Sequence, residues 1–71
     1  MTQNEKILRH LETYGTITPF EALQEYGIMR LASRITDLKK AGYVIITNMV
    51  SSYNRFGEKV RYASYSLEDN G

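Results

Sequence analysis

The sequence predicts an α+β fold in which three short helices precede one β-hairpin. Two capping boxes, residues 2–5 (TQNE) and residues 18–21 (TPFE), predict helix starts, because each threonine hydroxyl can accept the amide of the glutamate. A third helical pattern follows Gly27, and after Gly42 the period of the apolar residues changes to that of strands. These three observations define the order of elements.

The length of 71 residues predicts one domain spanning 1–71, with residues 66–71 as a frayed tail. A core of this size rarely supplies more than ~3–5 kcal/mol of stability. The chain has no cysteine, which excludes disulfides and thiolate metal sites. No stretch approaches the ~20 apolar residues of a membrane span, and no apolar leader is present. We therefore expect no membrane association and a cytoplasmic location in a bacterial host cell.

The first helix is predicted over residues 3–14, ending at Gly15. Its apolar residues at helical spacing are Ile7, Leu8, Leu11 and Tyr14. The only histidine, His10, lies at the edge of this stripe and is interpreted as a boundary residue. The extended link at residues 16–17 predicts a single rung of strand.

The second helix begins at Pro19, where the missing proline N–H costs nothing, and ends before Gly27. Its predicted apolar side carries Phe20, Leu23 and Tyr26. The connection between Gly27 and Ile28 is short enough to set the next helix across this one.

The third helix is predicted over residues 29–41. At 100° per residue, one apolar stripe forms from Ile28, Leu31, Ala32, Ile35 and Leu38. The polar residues nearly opposite this stripe are Arg30, Ser33, Asp37 and Lys40, with Met29 and Arg34 on its flanks. The helix therefore has one face for the core and one for a partner.

The β-hairpin is predicted from a β-branched run at residues 43–50 and an alternating run at residues 59–67. The polar connection between them makes a wing over residues 51–59. Its core face is predicted to carry Ala63, Tyr65 and Leu67, and Tyr14 and Tyr43 are also expected in the core. Three capped helices and one hairpin are the element order of a winged helix-turn-helix domain.

Charge is distributed unevenly, although the formal net charge is only +1. Residues 1–26 carry a net charge of −2, residues 27–65 carry +5, and residues 66–71 carry −2. The excess positive charge lies on the third helix and the hairpin, which favours a polyanionic partner over an uninvolved solvated face.

The chain resembles the small winged helix-turn-helix proteins of bacteriophages and prophages. The residues that carry the resemblance lie at 14–18, 28–38, 41–43, 54–59 and 65–67, so that it covers nearly the whole chain. It implies binding of double-stranded DNA, with the segment from Arg30 to Arg34 in the recognition helix. The role expected is that of a transcriptional regulator or an accessory factor in excision, acting as a homodimer or a cooperative assembly on DNA.

The predicted recognition helix suits the major groove, where an arginine can bond guanine O6 and N7. Arg30 is the first candidate for a base or phosphate contact, because we expect it in the first turn. The other DNA-binding candidates are Met29, Ser33, Arg34, Asp37 and Lys40 on the helix and Tyr53, Asn54, Arg55, Lys59 and Arg61 on the wing.

Several of these candidates have structural alternatives. Arg34 either binds DNA or pairs with Glu21 or Glu25, and Asp37 more simply pairs with a cation of its own helix than with cytosine. Phe56 at the wing tip is predicted to pack onto Tyr53. An outer patch of Val60 and Tyr62, extended by Val44 or Ile45, is a candidate for self-association or partner docking.

Catalysis is not predicted, because no nucleotide-binding glycine motif or nucleophile triad is present. With one histidine and no cysteine, no zinc site and no cofactor are expected. The competing function is a phage-encoded interaction module, an inhibitor or adaptor that docks on a host protein through the same winged surface. Asp37 on the supposed reading face and the mixed charge favour that alternative.

Overall fold

The first two helices begin where the threonine capping boxes place them. A computed structural model describes residues 1–68, in which α1 spans Gln3–Tyr14 and α2 spans Pro19–Tyr26. The Glu5 N–H donates to the Thr2 hydroxyl at 3.1 Å, and the Glu21 N–H donates to the Thr18 hydroxyl at 3.2 Å. Between the helices, β1 (Thr16–Ile17) forms the predicted single rung.

The third helix, α3 (Leu31–Lys40), is shorter than the predicted range 29–41. The reason lies in the turn, where Gly27 has a left-handed φ of 69° and the Ile28 N–H donates to Ala22 O at 3.1 Å. This closure points Ile28 into the core, where it is 1% exposed. Met29 and Arg30 therefore complete the turn, and Arg30 is the N-cap residue of α3 rather than part of its first turn.

The sheet has three antiparallel strands in the order β1-β3-β2, with β2 at Ile45–Tyr53 and β3 at Lys59–Leu67. Pairing of β2 with β3 continues as far as Tyr53 and Lys59, so the connection is 54–58 and not the predicted 51–59. The first strand of the hairpin is therefore 45–53 and not the predicted 43–50.

The end of β3 differs from the predicted frayed tail at 66–71. Ser66 pairs with Thr16 of β1, and Leu67 pairs with Ile45 of β2, so both belong to the sheet. Residues 66 and 67 are held in the sheet because the backbone of β3 pairs with β1 on one side and with β2 on the other. The rest of the predicted tail beyond Glu68 lies outside the described residues.

The core forms between the helices and the base of the sheet. Its buried members are Ile7, Leu11, Ile17, Ala22, Ile28, Leu31, Ile35, Leu38, Ile45 and Tyr65, with Ala63 and Leu67 packed against it. This confirms the apolar stripe of α3 except for Ala32, which is exposed. The core face of β3 is likewise confirmed.

The predicted core roles of Tyr14 and Tyr43 are wrong, and so is most of the predicted apolar side of α2. Tyr14 and Tyr43 are 71% and 43% exposed, and Phe20 and Leu23 on α2 are 70% and 49% exposed. The fully buried residue of α2 is Ala22, and Tyr26 packs against the core beside it. Tyr65 is the tyrosine that enters the core.

The outer half of the hairpin extends beyond the core. Every residue from 51 to 62 is exposed, whereas Tyr65 near the base is buried. Among residues 1–68, no helix is long and apolar enough to cross a membrane.

Candidate nucleic-acid interface

The start of α3 brings three of the predicted DNA-binding side chains together. Met29, Arg30 and Arg34 line one shallow depression of about 370 Å³ with Gln3 and Gly27. Met29 is 85% exposed, and Arg30 is exposed as well. A turn residue, an N-cap residue and a residue of the first helical turn thus share one surface.

The charge of Arg34 is partly compensated within α3. Its Nη2 atom lies 3.3 Å from Oδ2 of Asp37, and both side chains are partly exposed, at 38% and 43%. This confirms the intramolecular pairing of Asp37 and contradicts the alternative pairing of Arg34 with Glu21 or Glu25. An exposed i,i+3 pair of this kind contributes only about 0.2–0.5 kcal/mol, so a phosphate can compete for the arginine.

The remaining polar face of α3 is open. Ser33 and Lys40 are both exposed, and the structure records no ion pair for Arg30 or Lys40 within residues 1–68. Lys40 lies in the last turn, where a cation also stabilises the negative end of the helix dipole. Arg30 has no comparable structural role, because its side chain makes no capping hydrogen bond.

The wing cations lie on the side of the hairpin that faces the helices. Lys59 pairs directly with Tyr53, and Arg61 pairs with Ser51. Because side chains alternate along a strand, Lys59 and Arg61 share the face of the core residue Tyr65. The outer part of this face is therefore cationic and continuous with the part that packs on the helices.

The opposite face of the hairpin carries no charged residue. Its members, in cross-strand pairs, are Ile46 with Ser66, Asn48 with Ser64, Val50 with Tyr62 and Ser52 with Val60. The predicted outer patch therefore includes Val60 and Tyr62 but not Ile45, which is 6% exposed and belongs to the core. Positive charge on the hairpin is thus confined to the helix-facing side and the tip.

The wing tip is organised by Asn54. Its Oδ1 accepts the N–H groups of Phe56 and Glu58, each at 3.0 Å, and its Nδ2 donates to Glu58 Oε1 at 3.1 Å. The backbone adds bonds from the Asn54 N–H to Glu58 O and from the Gly57 N–H to Asn54 O, both at 3.0 Å. The side chain predicted to bind DNA is therefore engaged in shaping the turn.

Phe56 does not pack onto Tyr53 as predicted. The two side chains are 83% and 71% exposed, and within residues 1–68 neither ring pairs with another aromatic ring. Phe56 and its neighbour Arg55 are both exposed in the turn that Asn54 closes through the N–H groups of Phe56 and Glu58.

The two groups of candidate residues belong to separate elements. In the described part of the chain, no hydrogen bond or ion pair joins Tyr53, Arg55, Lys59 or Arg61 to the polar side chains of α3. Each group is built by its own local geometry: the turn before α3, and the five-residue connection of the hairpin.

Comparison with known families decides what this architecture is. The family model for the winged helix-turn-helix domain matches residues 2–70. The chain belongs to this winged helix-turn-helix family. The winged helix-turn-helix is a DNA-binding fold, and the match spans both the helices and the wing. A comparison with curated proteins gave no match, and neither did a comparison with solved structures.

A polar cluster that sequence reasoning missed joins α1 and α2 of this winged helix. His10, interpreted as a boundary residue, is 5% exposed, and its Nδ1 lies 2.7 Å from the Tyr26 hydroxyl. Its Nε2 lies 3.9 Å from Glu21 Oε2, and its ring contacts the Tyr14 ring, with centroids 4.6 Å apart and planes inclined by 47°. The spacing of His10 and Tyr14, one turn apart on α1, was a signal that could have indicated this contact.

The cleft around His10 is acidic. It has a volume of about 330 Å³ and is lined by His10, Tyr14, Thr16, Glu21, Glu25 and Tyr26. Burial raises the pKa of the Tyr26 hydroxyl, and the neighbouring Tyr14, Glu25 and Glu21 raise it further. The hydroxyl therefore stays protonated and can donate to Nδ1. No group of three metal-ligating side chains occurs within residues 1–68.

Proposed function

We propose that this protein is a small sequence-specific DNA-binding protein of phage or prophage type, acting as a transcriptional regulator or an excision accessory factor. In this proposal α3 enters the major groove, and the wing lies on the phosphate backbone or in the minor groove. The observation that carries the proposal is the set of exposed cations that form no ion pair within residues 1–68: Arg30 and Lys40 on α3, and Lys59 and Arg61 on the helix-facing side of the wing.

The contacts follow from the position of each side chain. Arg30, exposed at the start of α3, contacts a base or a phosphate, and Met29 beside it contacts an apolar base edge such as a thymine methyl. Ser33, Arg34 and Lys40 hold phosphates or base edges along the helix. Asp37 pairs with Arg34 at 3.3 Å and competes with DNA for this arginine.

The wing residues supply the second set of contacts. Arg55, Lys59 and Arg61 neutralise phosphates, and Tyr53 donates its hydroxyl to a backbone oxygen. Asn54 acts through the turn that its side chain holds. A domain of this size reads few base pairs, so we expect homodimers or cooperative neighbours on repeated half-sites.

Binding to a duplex selected by the protein from a random pool tests this proposal. We expect Arg30→Ala to weaken binding by about 5- to 150-fold, the loss of one arginine contact to a base pair. Arg9→Ala is the matched control, because Arg9 is an exposed arginine on α1 outside the depression and should change affinity by less than about twofold.

Salt titration separates specific contacts from general attraction. Each phosphate contact adds about −0.9 to the slope of log affinity against log salt concentration, so removing Lys59 or Arg61 should make the slope shallower by about one contact. Binding that neither depends on salt nor weakens with Arg30→Ala would contradict the proposed function. Gel shifts on intergenic DNA beside an integrase gene or a divergent repressor gene would then separate excision from transcription.

A second candidate function is docking on a host protein as an inhibitor or adaptor. Asp37 on the face of Arg34 and the acidic cleft around His10 favour it, because both would repel DNA. Affinity capture from nuclease-treated host lysate tests it. One stoichiometric protein partner that survives the nuclease, together with no selected duplex, would favour this function over DNA binding.

A further inference from the structure

The wing tip exposes an aromatic side chain that the core and the neighbouring residues leave uncovered. Phe56 is 83% exposed, and among the large apolar side chains of residues 1–68 only Met29 is more exposed. Stabilisation by an aromatic side chain grows with its buried area, so an exposed Phe56 contributes little to the stability of the domain. The exposed ring is available to a partner outside the chain.

The backbone that presents Phe56 is ordered before any partner arrives. Asn54 Oδ1 accepts the N–H groups of Phe56 and Glu58, and Gly57 has a φ of 77°, which a residue with a Cβ rarely adopts. Binding through this tip therefore costs little backbone entropy, since the turn is already fixed.

Charge identifies the kind of partner. Arg55 adjoins Phe56, and Lys59 and Arg61 follow along the helix-facing side of β3. The one carboxylate at the tip, Glu58, accepts from Asn54 Nδ2, and no ion pair joins it to these cations within residues 1–68. An exposed ring beside one arginine, with further cations along the adjoining strand, matches a stack of bases flanked by phosphates.

We propose that Phe56 is a wedge that the wing inserts from the minor groove between two base pairs, kinking the DNA that α3 binds. Apolar wedges of this type partly unstack one base step and bend the duplex by about 20–90°. Flexible TA and CA/TG steps are the expected insertion points, because they unstack at the lowest cost. This inference rests on the proposed DNA binding and adds deformation of the DNA to it.

The experiment measures DNA bending by energy transfer between fluorophores at the two ends of a selected duplex of about 30 base pairs. We expect wild-type protein to bend it and Phe56→Ala to leave it straight while weakening binding by on the order of tenfold. Phe56→Trp should retain the bend. Phe20→Ala is the matched control, a phenylalanine 70% exposed on α2, and should bend the duplex like wild type.

The outcomes separate this inference from the proposed function. Straight DNA in the wild-type complex, or equal bending by Phe56→Ala, overturns the wedge, while loss of affinity in Arg30→Ala still supports DNA binding. Failure to bind any duplex overturns both. Binding of phosphatidylserine vesicles that is lost in Phe56→Ala, together with straight DNA, assigns the tip to a membrane surface and also overturns the wedge.

Discussion

The helix pair α1–α2 and the pair formed by α3 and the wing differ in whether their polar groups have hydrogen-bond partners within the chain. In α1–α2, both helix starts have complete threonine–glutamate capping boxes, and His10 bonds Tyr26 inside the domain. In the second pair, α3 begins at Arg30 with no side-chain cap, and the hairpin is exposed from residue 51 to residue 62.

The difference indicates which residues of this small domain stabilise the fold and which are available for binding. Polar groups whose partners lie within the chain stabilise the fold, whereas charges and apolar tips without internal partners are available to a ligand. Substitutions in α1–α2 should therefore change the free energy of unfolding, and substitutions in α3 or the wing should change binding.

The largest expected effect is that of Ile7→Ala on α1. Ile7 is fully buried, so the substitution removes apolar contacts and leaves a cavity, which costs about 2–5 kcal/mol. Urea unfolding followed by circular dichroism measures the loss. Ile46→Ala is the control, because Ile46 is 41% exposed on the hairpin, and its cost should stay below about 1 kcal/mol. Equal losses of unfolding free energy from Ile7→Ala and Ile46→Ala would contradict the assignment of stability to α1–α2.

The next effect is that of Tyr26→Phe. The substitution removes the hydroxyl 2.7 Å from His10 Nδ1 and leaves a buried ring nitrogen without a partner, which costs about 1–3 kcal/mol. The same unfolding measurement applies, and DNA affinity should not change. An unchanged unfolding midpoint would show that the cluster contributes nothing to stability.

The same tyrosine predicts a dependence on pH. Its pKa lies above the ordinary value of 10.0, so the folded protein keeps a proton that the unfolded chain loses. The stability linked to this proton is complete below the unfolded pKa and is lost as pH rises through the folded one. Unfolding measured from about pH 9 to 11 should show a smaller fall for Tyr26→Phe than for wild type.

A smaller effect is expected from Thr18→Ala, which removes the cap of α2. Both the Glu21 N–H and the Glu21 carboxylate lose the threonine hydroxyl, at a cost of about 1 kcal/mol. Thr36→Ala is the matched control, because the Thr36 hydroxyl donates to Ala32 O on the exposed side of α3 and should cost less than about 0.5 kcal/mol. A larger loss of stability from Thr36→Ala than from Thr18→Ala would contradict the role of Thr18 as the cap of α2.

The smallest effect on stability is expected from Asp37→Asn, which breaks an exposed pair worth about 0.2–0.5 kcal/mol. The substitution should favour DNA binding, because it releases Arg34 and removes one negative charge from the polar face of α3. We expect tighter DNA binding and a salt slope steeper by about 0.9 if Arg34 gains a phosphate. Weaker binding would show that Asp37 itself contacts DNA.

Local chemistry explains what the sequence predicted correctly. The capping boxes at Thr2 and Thr18 locate α1 and α2, because the bonds that start these helices join residues only three apart. The stripe from Leu31 to Leu38 and the alternation around Tyr65 likewise follow from periods that a short window contains. The winged helix-turn-helix fold was therefore predictable from the order of elements.

Long-range packing explains the errors. Helical spacing continues through Arg30 and predicts it inside α3, but burial of Ile28 in the core extends the turn by two residues. The sequence predicts His10 at a boundary because its partners, Glu21 and Tyr26, belong to another helix and become neighbours only after α2 packs. DNA contacts by individual side chains remain predictions, because they depend on a partner.

The two-residue strand β1 has a consequence for how the chain can be divided. Thr16 pairs with Ser66 and Ile17 with Tyr65, so the contact closes a loop of about 50 residues that contains α2, α3 and the whole hairpin. A junction between residues this far apart forms only when the intervening helices and hairpin are brought together. We therefore expect the domain to fold as one cooperative unit, and a fragment without β1 to lose this junction.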